Sequence, residues 1–227
     1  MKYLVFDVET TGLPKRRFAP LYKSELWPYI VQISWVVYDD ETCRIVSVND
    51  HIIKLPTGVK LPQESIRIHG ITKQIMFKKG IHIKKALKMF ETDFNQCDSL
   101  VAHNITFDMN IIGAEFLRNA RKGDLFPNIF DMFPNKKKIC TMELGKNICK
   151  IIRKGKNGEP YYKSPKLIEL HEKLFKQTIN NAHNSLVDVY ACLRCFCKIY
   201  LNYDILQKDT SGNFIDYYTD ISGMSFC

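Results

Sequence analysis

The sequence predicts an α/β fold with five strands, and three observations support this class. Three strand-like segments come first along the chain, and segments with helical spacing then alternate with two shorter strands. The length of 227 residues suits one well-buried core, and the 45% hydrophobic and 25% charged residues are ordinary for a globular protein. We therefore expect one principal domain, with two small domains as the alternative.

The strands are predicted from apolar and β-branched runs that lie between turn signals. The five segments are residues 2–8, 30–38, 44–54, 99–102 and 138–141. A short acidic turn separates the second segment from the third, and a loop containing prolines and a glycine follows the third. A sheet of five strands is the expected result.

The helices are predicted from apolar residues that recur every three or four positions. The helical segments are residues 84–95, 108–121, 166–175 and 185–203. Residues 204–227 show no clear period. We expect residues 1–203 to form the domain and residues 204–227 to form a C-terminal extension, either packed on the domain or partly disordered.

The charge balance indicates the kind of partner. The chain carries 33 lysines and arginines against 24 acidic residues, a formal net charge of +9. This surplus favours a polyanionic partner, nucleic acid first and a membrane surface second, with an ordinary basic surface as the alternative. No segment approaches the roughly 18 apolar residues that span a bilayer, so we expect no membrane-spanning segment. Of the two polyanionic candidates, we expect nucleic acid and not a membrane to be the partner. A metal-binding regulator that never meets nucleic acid conflicts with this charge.

The first residues lack the pattern of a secretory signal peptide, because a short apolar run is followed at once by acidic residues. We expect a protein kept inside the cell, in the cytoplasm or alternatively the nucleus, with its eight cysteines reduced. Cys192, Cys195 and Cys197 lie in one predicted helix, where four ligands cannot easily converge on zinc. We expect them to be buried thiols, with a zinc site as the alternative.

Asp7 and Glu9 end the first predicted strand two residues apart. Side chains alternate across a strand, so both carboxylates point to one face. Two close carboxylates resist ionisation unless a cation lies between them, and hard divalent metals prefer oxygen ligands. The pair therefore suggests a metal site, while a solvated acidic strand end is the alternative.

Two later segments place further carboxylates near helix starts. Asp108 follows a buried strand and a polar turn, where it would hold a metal or simply cap a helix. His183 lies in a loop just before the last long helix, and Asp188 lies one turn into that helix. A histidine beside an anchored carboxylate suits a general base next to a metal ligand. An ordinary loop histidine is the alternative.

Taken together, these segments resemble the DEDDh (DnaQ-like) exonucleases. That family includes proofreading subunits of bacterial polymerases, three-prime repair exonucleases, ribonuclease T and oligoribonuclease. Its first motif is matched by Phe6-Asp7-Val8-Glu9-Thr10-Thr11-Gly12-Leu13, its second by His103-Asn104-Ile105-Thr106-Phe107-Asp108, and its third by His183-Asn184-Ser185-Leu186-Val187-Asp188. Ile68-His69-Gly70-Ile71-Thr72 resembles a segment common between the first two motifs. Cys140-Thr141 departs from the family's usual Asp-Thr, a change that concerns the sheet and not the chemistry.

The resemblance implies a ribonuclease-H-like exonuclease fold, a mixed five-stranded sheet with helices on both faces. It also implies 3′→5′ hydrolysis with two Mg²⁺ ions, for which Mn²⁺ can substitute. Asp7 would bridge both ions. Glu9 and Asp188 would help hold the ion that carries the attacking water, and Asp108 would hold the other. His183 would be the general base for that water, and the product would be a nucleoside 5′-monophosphate.

The resemblance also implies the substrate contacts. The expected substrate-binding residues are Thr10, Gly12, Leu13, His103 and Asn104, with turn formation and core packing as the alternative. The expected substrate is a single-stranded 3′ end, DNA favoured over RNA. Expected protein partners are a DNA polymerase or a second copy of this chain. The alternative function is a nucleic-acid-binding or polymerase-associated module with little catalysis.

Four basic clusters are candidates for binding single-stranded nucleic acid. They are residues 15–17, residues 78–79 with 84–85, residues 136–138 and the segment 146–166. The last also carries two adjacent tyrosines, and phosphate attraction combined with aromatic stacking holds single strands without sequence preference. The alternative is a solvated surface loop.

Overall fold

The computed structural model describes residues 1–16, 18–120, 136–179 and 183–208, together with residues 214, 216, 218 and 219. Several predicted features therefore lie outside the described residues. They are Arg17 of the first basic cluster, Arg121 at one predicted helix end, and most of the segment 204–227.

A mixed sheet of five strands forms the centre, which confirms the predicted fold class. Its strands are β1 (Lys2–Thr10), β2 (Ile30–Asp39), β3 (Arg44–Ile52), β4 (Ser99–Ala102) and β5 (Lys137–Cys140). Their order across the sheet is β3-β2-β1-β4-β5. The first three strands pair antiparallel, whereas β1 with β4 and β4 with β5 pair parallel. The carboxyl ends of β1, β4 and β5 therefore share one edge of the sheet.

Eight described helices surround the sheet. They are α1 (Gln63–His69), α2 (Lys73–Lys79), α3 (Ile83–Gln96), α4 (Ile105–Asn119), α5 (Thr141–Cys149), α6 (Leu167–Phe175), α7 (Ser185–Tyr200) and α8 (Ile205–Lys208). Within the described ranges, none of these helices is long and apolar enough to cross a membrane.

The two faces of the sheet support two separate cores. Leu4, Phe6 and their neighbours pack against α3 and α4. Tyr3 and Val5 point the other way and pack against α7. This division follows from strand alternation, and it puts helices on both faces as predicted.

Several predicted element ends differ from the observed ones by one to three residues, and three of these differences are explained by local contacts or backbone conformation. Thr141 begins α5 and does not continue β5, and its hydroxyl turns back to the Ala102 carbonyl at 3.4 Å. Helix α4 begins at Ile105, three residues before Asp108, because Asn104 in the left-handed conformation (φ 70°) turns the chain directly after β4. Helix α7 ends at Tyr200 and not at 203, where Asn202 reverses the chain at φ 65°.

Helices α1 and α2 were not predicted, and they explain the segment His69 to Thr72. Gly70 ends α1 in the left-handed conformation at φ 73°, which glycine adopts without a side-chain penalty. Thr72 then caps α2 by accepting a hydrogen bond from the Ile75 amide at 3.2 Å. The segment therefore joins two short helices.

The basic segment 146–166 contains a hairpin that the sequence did not predict. Its strands are β6 (Ile152–Lys154) and β7 (Pro160–Tyr162), paired antiparallel. We call β6, β7 and the connecting residues 155–159 the basic hairpin.

Candidate functional site

Asp7 and Glu9 lie at the carboxyl end of β1 on the face that packs against α7. Asp7 is paired with Ser34 and Glu9 with Gln32 on β2, and a register irregularity follows Glu9. Both side chains are partly buried. The Ser185 hydroxyl, at the start of α7, donates a hydrogen bond to the Asp7 carbonyl oxygen at 2.7 Å. The first carboxylate pair is therefore joined directly to the helix that carries Asp188.

Asp108 enters from the first turn of α4, at the same edge of the sheet. Asp108 is almost fully buried, with only 3% of its surface exposed. Hydrogen bonds from the backbone of Val8 and of Asp108 itself contact the carboxylate. Asp108 therefore lies against the end of β1, close enough for the charges of Asp7 and Glu9 to affect its pKa.

Asp188 and His183 approach from the start of α7. Asn184 caps this helix through its side-chain oxygen, which accepts a hydrogen bond from the Leu186 amide at 3.1 Å. His183 has a left-handed backbone at φ 72°, and its amide donates to the Asp188 carboxylate at 3.1 Å. Ligand atoms of Glu9, His183 and Asp188 all lie within 4.8 Å of one another. The His183 side chain is exposed, so solvent reaches it.

The carboxyl groups oppose one another's ionisation. Burial raises the pKa of Asp7 to about 7. Burial, followed by the charges of Asp7 and Asp188, raises the pKa of Glu9 to about 9. Burial and the charge of Asp7 also hold the pKa values of Asp108 and Asp188 well above the usual range. Four carboxyls in one partly buried site are therefore costly to ionise without a cation.

This donor set fits a hard divalent cation. All four acidic side chains offer oxygen atoms, and a metal charge at their centre would remove the repulsion that raises their pKa values. His183 adds a nitrogen beside this set, at the exposed side. The arrangement can hold metal and also present a proton acceptor to a water molecule.

Gln32 supports the site, and the sequence analysis did not identify it. Its side-chain oxygen accepts a hydrogen bond from the Ser185 amide at 3.3 Å, and its nitrogen donates to Asp50 at 2.7 Å. Gln32 is buried in a strand that is otherwise mainly apolar. A polar side chain at such a position, opposite Glu9, was the available signal.

The first-motif residues Thr10, Gly12 and Leu13 form the turn after β1. The Thr10 hydroxyl donates to the Gly12 carbonyl at 2.6 Å, so Thr10 shapes the turn. Gly12 adopts φ 140°, a conformation open to few other residues. Leu13 is 81% exposed. Of the three, Leu13 has the side chain that is free to contact a ligand.

His103 and Asn104 occupy the turn between β4 and α4. Asn104 is exposed. His103 is partly buried, and its ring nitrogens lie 3.0 Å from the Thr141 hydroxyl and 3.0 Å from the Pro165 carbonyl. Burial lowers the pKa of His103 to about 4. Protein groups therefore already occupy both ring nitrogens of His103, which was predicted to bind substrate.

The basic clusters take different positions relative to the site. Lys137 pairs with Ser99 at the start of β4, so the cluster 136–138 lies at the opposite edge of the sheet from the carboxylates. Lys15 and Arg16 are exposed and follow the first motif directly. The basic hairpin is connected to the site through Pro165 and His103.

Comparison with known proteins gives a family match over most of the chain. The profile of an exonuclease family, RNase T, matches residues 4–196. Two curated relatives are DNA polymerases III of the PolC type. That of Mycoplasmopsis pulmonis is 29% identical over 118 residues, and that of Pediococcus pentosaceus is 27% identical over 118 residues. Each match covers 52% of this chain and 7% of the polymerase.

Solved structures show the same fold at low identity. Escherichia coli exonuclease I in complex with a dT13 oligonucleotide has a TM-score of 0.63 at 18% identity, covering 95% of this chain and 43% of that one. Exonuclease I from Methylocaldum szegediense has a TM-score of 0.60 at 16% identity, covering 88% of this chain and 41% of that one. This chain thus spans less than half the length of either exonuclease I chain.

Proposed function

Because this chain belongs to the exonuclease family, whose profile matches residues 4–196, we propose that it is a metal-dependent 3′→5′ exonuclease. It hydrolyses phosphodiester bonds at single-stranded 3′ ends and releases nucleoside 5′-monophosphates. The observation that carries this proposal is the convergence of four carboxyl groups and His183 at one edge of the sheet.

Asp7, Glu9, Asp108 and Asp188 are the proposed metal ligands, holding two Mg²⁺ ions for which Mn²⁺ can substitute. When bound, the ions supply charge stabilisation to the phosphoryl group and lower the pKa of a bound water. His183 takes a proton from the attacking water, since its exposed ring lies within 4.8 Å of ligand atoms of Glu9 and Asp188. The hydrogen bond from the His183 amide to the Asp188 carboxylate holds the base next to the metal ligand.

The turn after β1 and the start of α4 are the proposed contacts to the terminal nucleotide. Leu13 wedges against the last bases, Asn104 contacts the backbone, and the glycine at position 12 lets the main chain approach closely. Thr10 and His103 act indirectly in this proposal, because hydrogen bonds within the protein already engage their side chains.

DNA is the proposed substrate, with RNA as the alternative. The net charge of +9 favours a polyanion, and exonuclease I, which shares the fold, forms complexes with DNA oligonucleotides. The match to PolC-type polymerases supports a polymerase as one partner, and a homodimer is the other candidate. An intracellular location, cytoplasmic or nuclear, suits the seven described cysteines, all free thiols.

The test uses oligonucleotides labelled at the 5′ end: single-stranded, blunt and 3′-recessed DNA, and single-stranded RNA. Each is incubated with Mg²⁺, Mn²⁺ or EDTA. We expect a metal-dependent ladder that shortens from the 3′ end and is abolished in Asp7→Ala. Loss of a general base typically costs about 10²–10⁴-fold, which is the expectation for His183→Ala.

Glu91→Ala on α3 is the matched control, because it removes a carboxylate from a helix that does not carry the site. It should leave the ladder unchanged. Retained binding without any ladder would instead favour the nucleic-acid-binding or polymerase-associated module with little catalysis.

A further inference from the structure

The basic hairpin is exposed on both faces. All six residues of β6 and β7 are exposed, and three large side chains stand out: Ile152 at 64%, Tyr161 at 51% and Tyr162 at 41%. Ile152 and Tyr162 are a cross-strand pair on one face, and Arg153 and Tyr161 are the pair on the other. A two-stranded ribbon without a covered face is marginal in water, so these side chains indicate a surface that a partner covers.

The hairpin is nevertheless closed in a regular way at its tip. The Gly155 amide donates to the Glu159 carbonyl at 2.8 Å, and the Gly158 amide donates to the Gly155 carbonyl at 3.0 Å. Gly158 takes a left-handed conformation at φ 82°, as expected after an asparagine in a tight turn. The turn therefore presents Lys156 at the end of a defined ribbon.

The charge of the segment that contains the basic hairpin indicates which class of partner it binds. Residues 146–166 contain seven lysines and arginines and one acidic residue, Glu159. Arg153 and Lys154 are exposed on β6, and Lys156 is at the turn. A basic ribbon with exposed aromatic rings has the two features that hold single-stranded nucleic acid, phosphate attraction and base stacking.

The root of the hairpin is tied to the candidate site. The Lys163 amide donates to the Ile151 carbonyl at 2.9 Å, and the Lys163 ammonium forms an ion pair with Glu169 of α6 at 2.6 Å. Two residues further on, the Pro165 carbonyl contacts the His103 ring at 3.0 Å. His103 lies five residues before Asp108, in the turn that leads into α4. The ribbon is thus anchored at the edge of the sheet where the carboxylates meet.

We propose that the basic hairpin binds the nucleotides that lie 5′ of the terminal one, with Tyr161 and Tyr162 stacking on bases and Arg153, Lys154 and Lys156 contacting phosphates. The inference rests on the proposed function. If the 3′-terminal nucleotide occupies the carboxylate site, the remaining strand leaves in the 5′ direction, and a surface rooted beside the site meets it there. The hairpin would then make the enzyme prefer single-stranded nucleic acid over a mononucleotide substrate.

The test compares two substrates of different length. The p-nitrophenyl ester of thymidine 5′-monophosphate occupies only the terminal position, whereas a long single-stranded DNA also reaches the hairpin. For Tyr161→Ala/Tyr162→Ala we expect kcat/KM on the long DNA to fall by about 5- to 150-fold for each base that loses its stacking partner. Turnover of the ester should remain at the wild-type level. Tyr161→Phe/Tyr162→Phe keeps both rings and should retain activity on the long DNA.

The phosphate contacts have a separate measurement. In Arg153→Ala/Lys154→Ala, the slope of log affinity against log salt for single-stranded DNA should become shallower by about 1.4, since each neutralised phosphate contributes roughly 0.7. Lys198→Ala/Lys208→Ala is the matched control. It removes two exposed charges at the far end of α7 and on α8, and it should leave the slope unchanged.

The outcomes separate the two proposals. If the wild-type protein cleaves neither substrate, the proposed exonuclease function fails. If it cleaves both, and the hairpin variants match it on the long DNA and in salt slope, the hairpin inference fails while the function stands. A third outcome is that the hairpin variants sediment with a lower molecular mass than the wild-type protein while their DNA affinity is unchanged. That result would also overturn the inference and make the hairpin a contact between copies of this chain. Normal ester turnover in each variant shows that the variant is folded.

Discussion

Asp7 and Glu9 are the two carboxyl groups of the site whose raised pKa values can be tested directly. In the folded chain their pKa values lie at about 7 and about 9, above those of ordinary carboxyl groups, because burial and neighbouring charges favour the neutral forms. The folded state therefore holds protons that the unfolded state releases. Without metal, stability should fall as pH rises through these two values.

The first prediction concerns metal and pH together. With EDTA, the melting temperature should decrease as pH rises through about 7 and towards about 9. Mg²⁺ should raise it, and increasingly so at higher pH, because the ligands must be ionised to bind. At a hundredfold excess over Kd the stabilisation is about 2.7 kcal/mol. If the melting temperature depended on pH in the same way with and without Mg²⁺, the assignment of these carboxyl groups as metal ligands would be contradicted. In Asp7→Asn, the stabilisation by Mg²⁺ should be smaller and should vary less with pH.

Gln32→Leu is the second prediction at this scale. The substitution leaves the buried Ser185 amide without an acceptor, and one unsatisfied buried group costs about 1–3 kcal/mol. It should also loosen the start of α7, so that kcat falls more than KM changes. Urea denaturation and steady-state kinetics measure the two effects. Ser34→Ala is the control, since it also loses a bond to Asp50 but does not touch Ser185.

At the scale of elements, the turn from β4 into α4 joins three parts of the fold. His103 lies in this turn and contacts Thr141 at the start of α5 and Pro165 before α6. Because burial lowers its pKa to about 4, the ring is neutral in the folded protein near neutral pH. Its contribution to stability is present above the ordinary histidine pKa and is lost as pH falls through that value towards about 4.

His103→Ala is the prediction for this element. The Pro165 carbonyl loses its contact with the ring, at a cost of about 1–3 kcal/mol, whereas the Thr141 hydroxyl keeps its hydrogen bond to the Ala102 carbonyl. The substitution should also free the root of the basic hairpin, so activity on long single-stranded DNA should drop more than activity on the p-nitrophenyl ester. Equal losses on the two substrates would instead assign His103 a direct role in substrate binding, as predicted from the sequence.

At the scale of the whole molecule, Ile205, Phe214 and Tyr218 of the C-terminal segment pack within the second core. Phe214 and Tyr218 are buried beside Tyr190 of α7. The Tyr218 hydroxyl lies 2.8 Å from the buried His171 ring, and Arg194 forms an ion pair with Asp204 at 2.9 Å. We propose that the described part of the segment 204–227 is an extension packed on the domain formed by residues 1–203.

Tyr218 provides the corresponding prediction. Tyr218→Ala empties a buried aromatic site and should destabilise the protein by about 3–5 kcal/mol. Tyr218→Phe keeps the ring but leaves the buried Nε2 of His171 without its partner, while Nδ1 still contacts the Gln177 carbonyl, so the loss should be about 1–3 kcal/mol. The free energy of unfolding in urea distinguishes the two. Wild-type stability in Tyr218→Ala would show that the extension is dispensable.

The sequence by itself determined the α/β class, the five strands of the central sheet and the residues that converge at the carboxyl ends of β1 and β4. These predictions depend on short-range signals: alternation along a strand, a carboxylate soon after a strand, and a histidine five residues before an aspartate. Such signals persist in the linear chain because neighbouring residues produce them. The same signals missed the hairpin strands β6 and β7 and the helices α1, α2, α5 and α8, which are too short or have too few apolar residues for a clear period.

Only the tertiary structure decided which groups support the site and which face solvent. The Ser185 amide meets the Gln32 side chain across 153 positions of sequence, and the Pro165 carbonyl meets His103 across 62. Neither contact has a local signature, because both depend on how the sheet, α7 and the hairpin root pack together. The raised carboxyl pKa values arise in the same way. Burial and the proximity of like charges exist only once strands and helices from distant parts of the chain share one edge of the sheet.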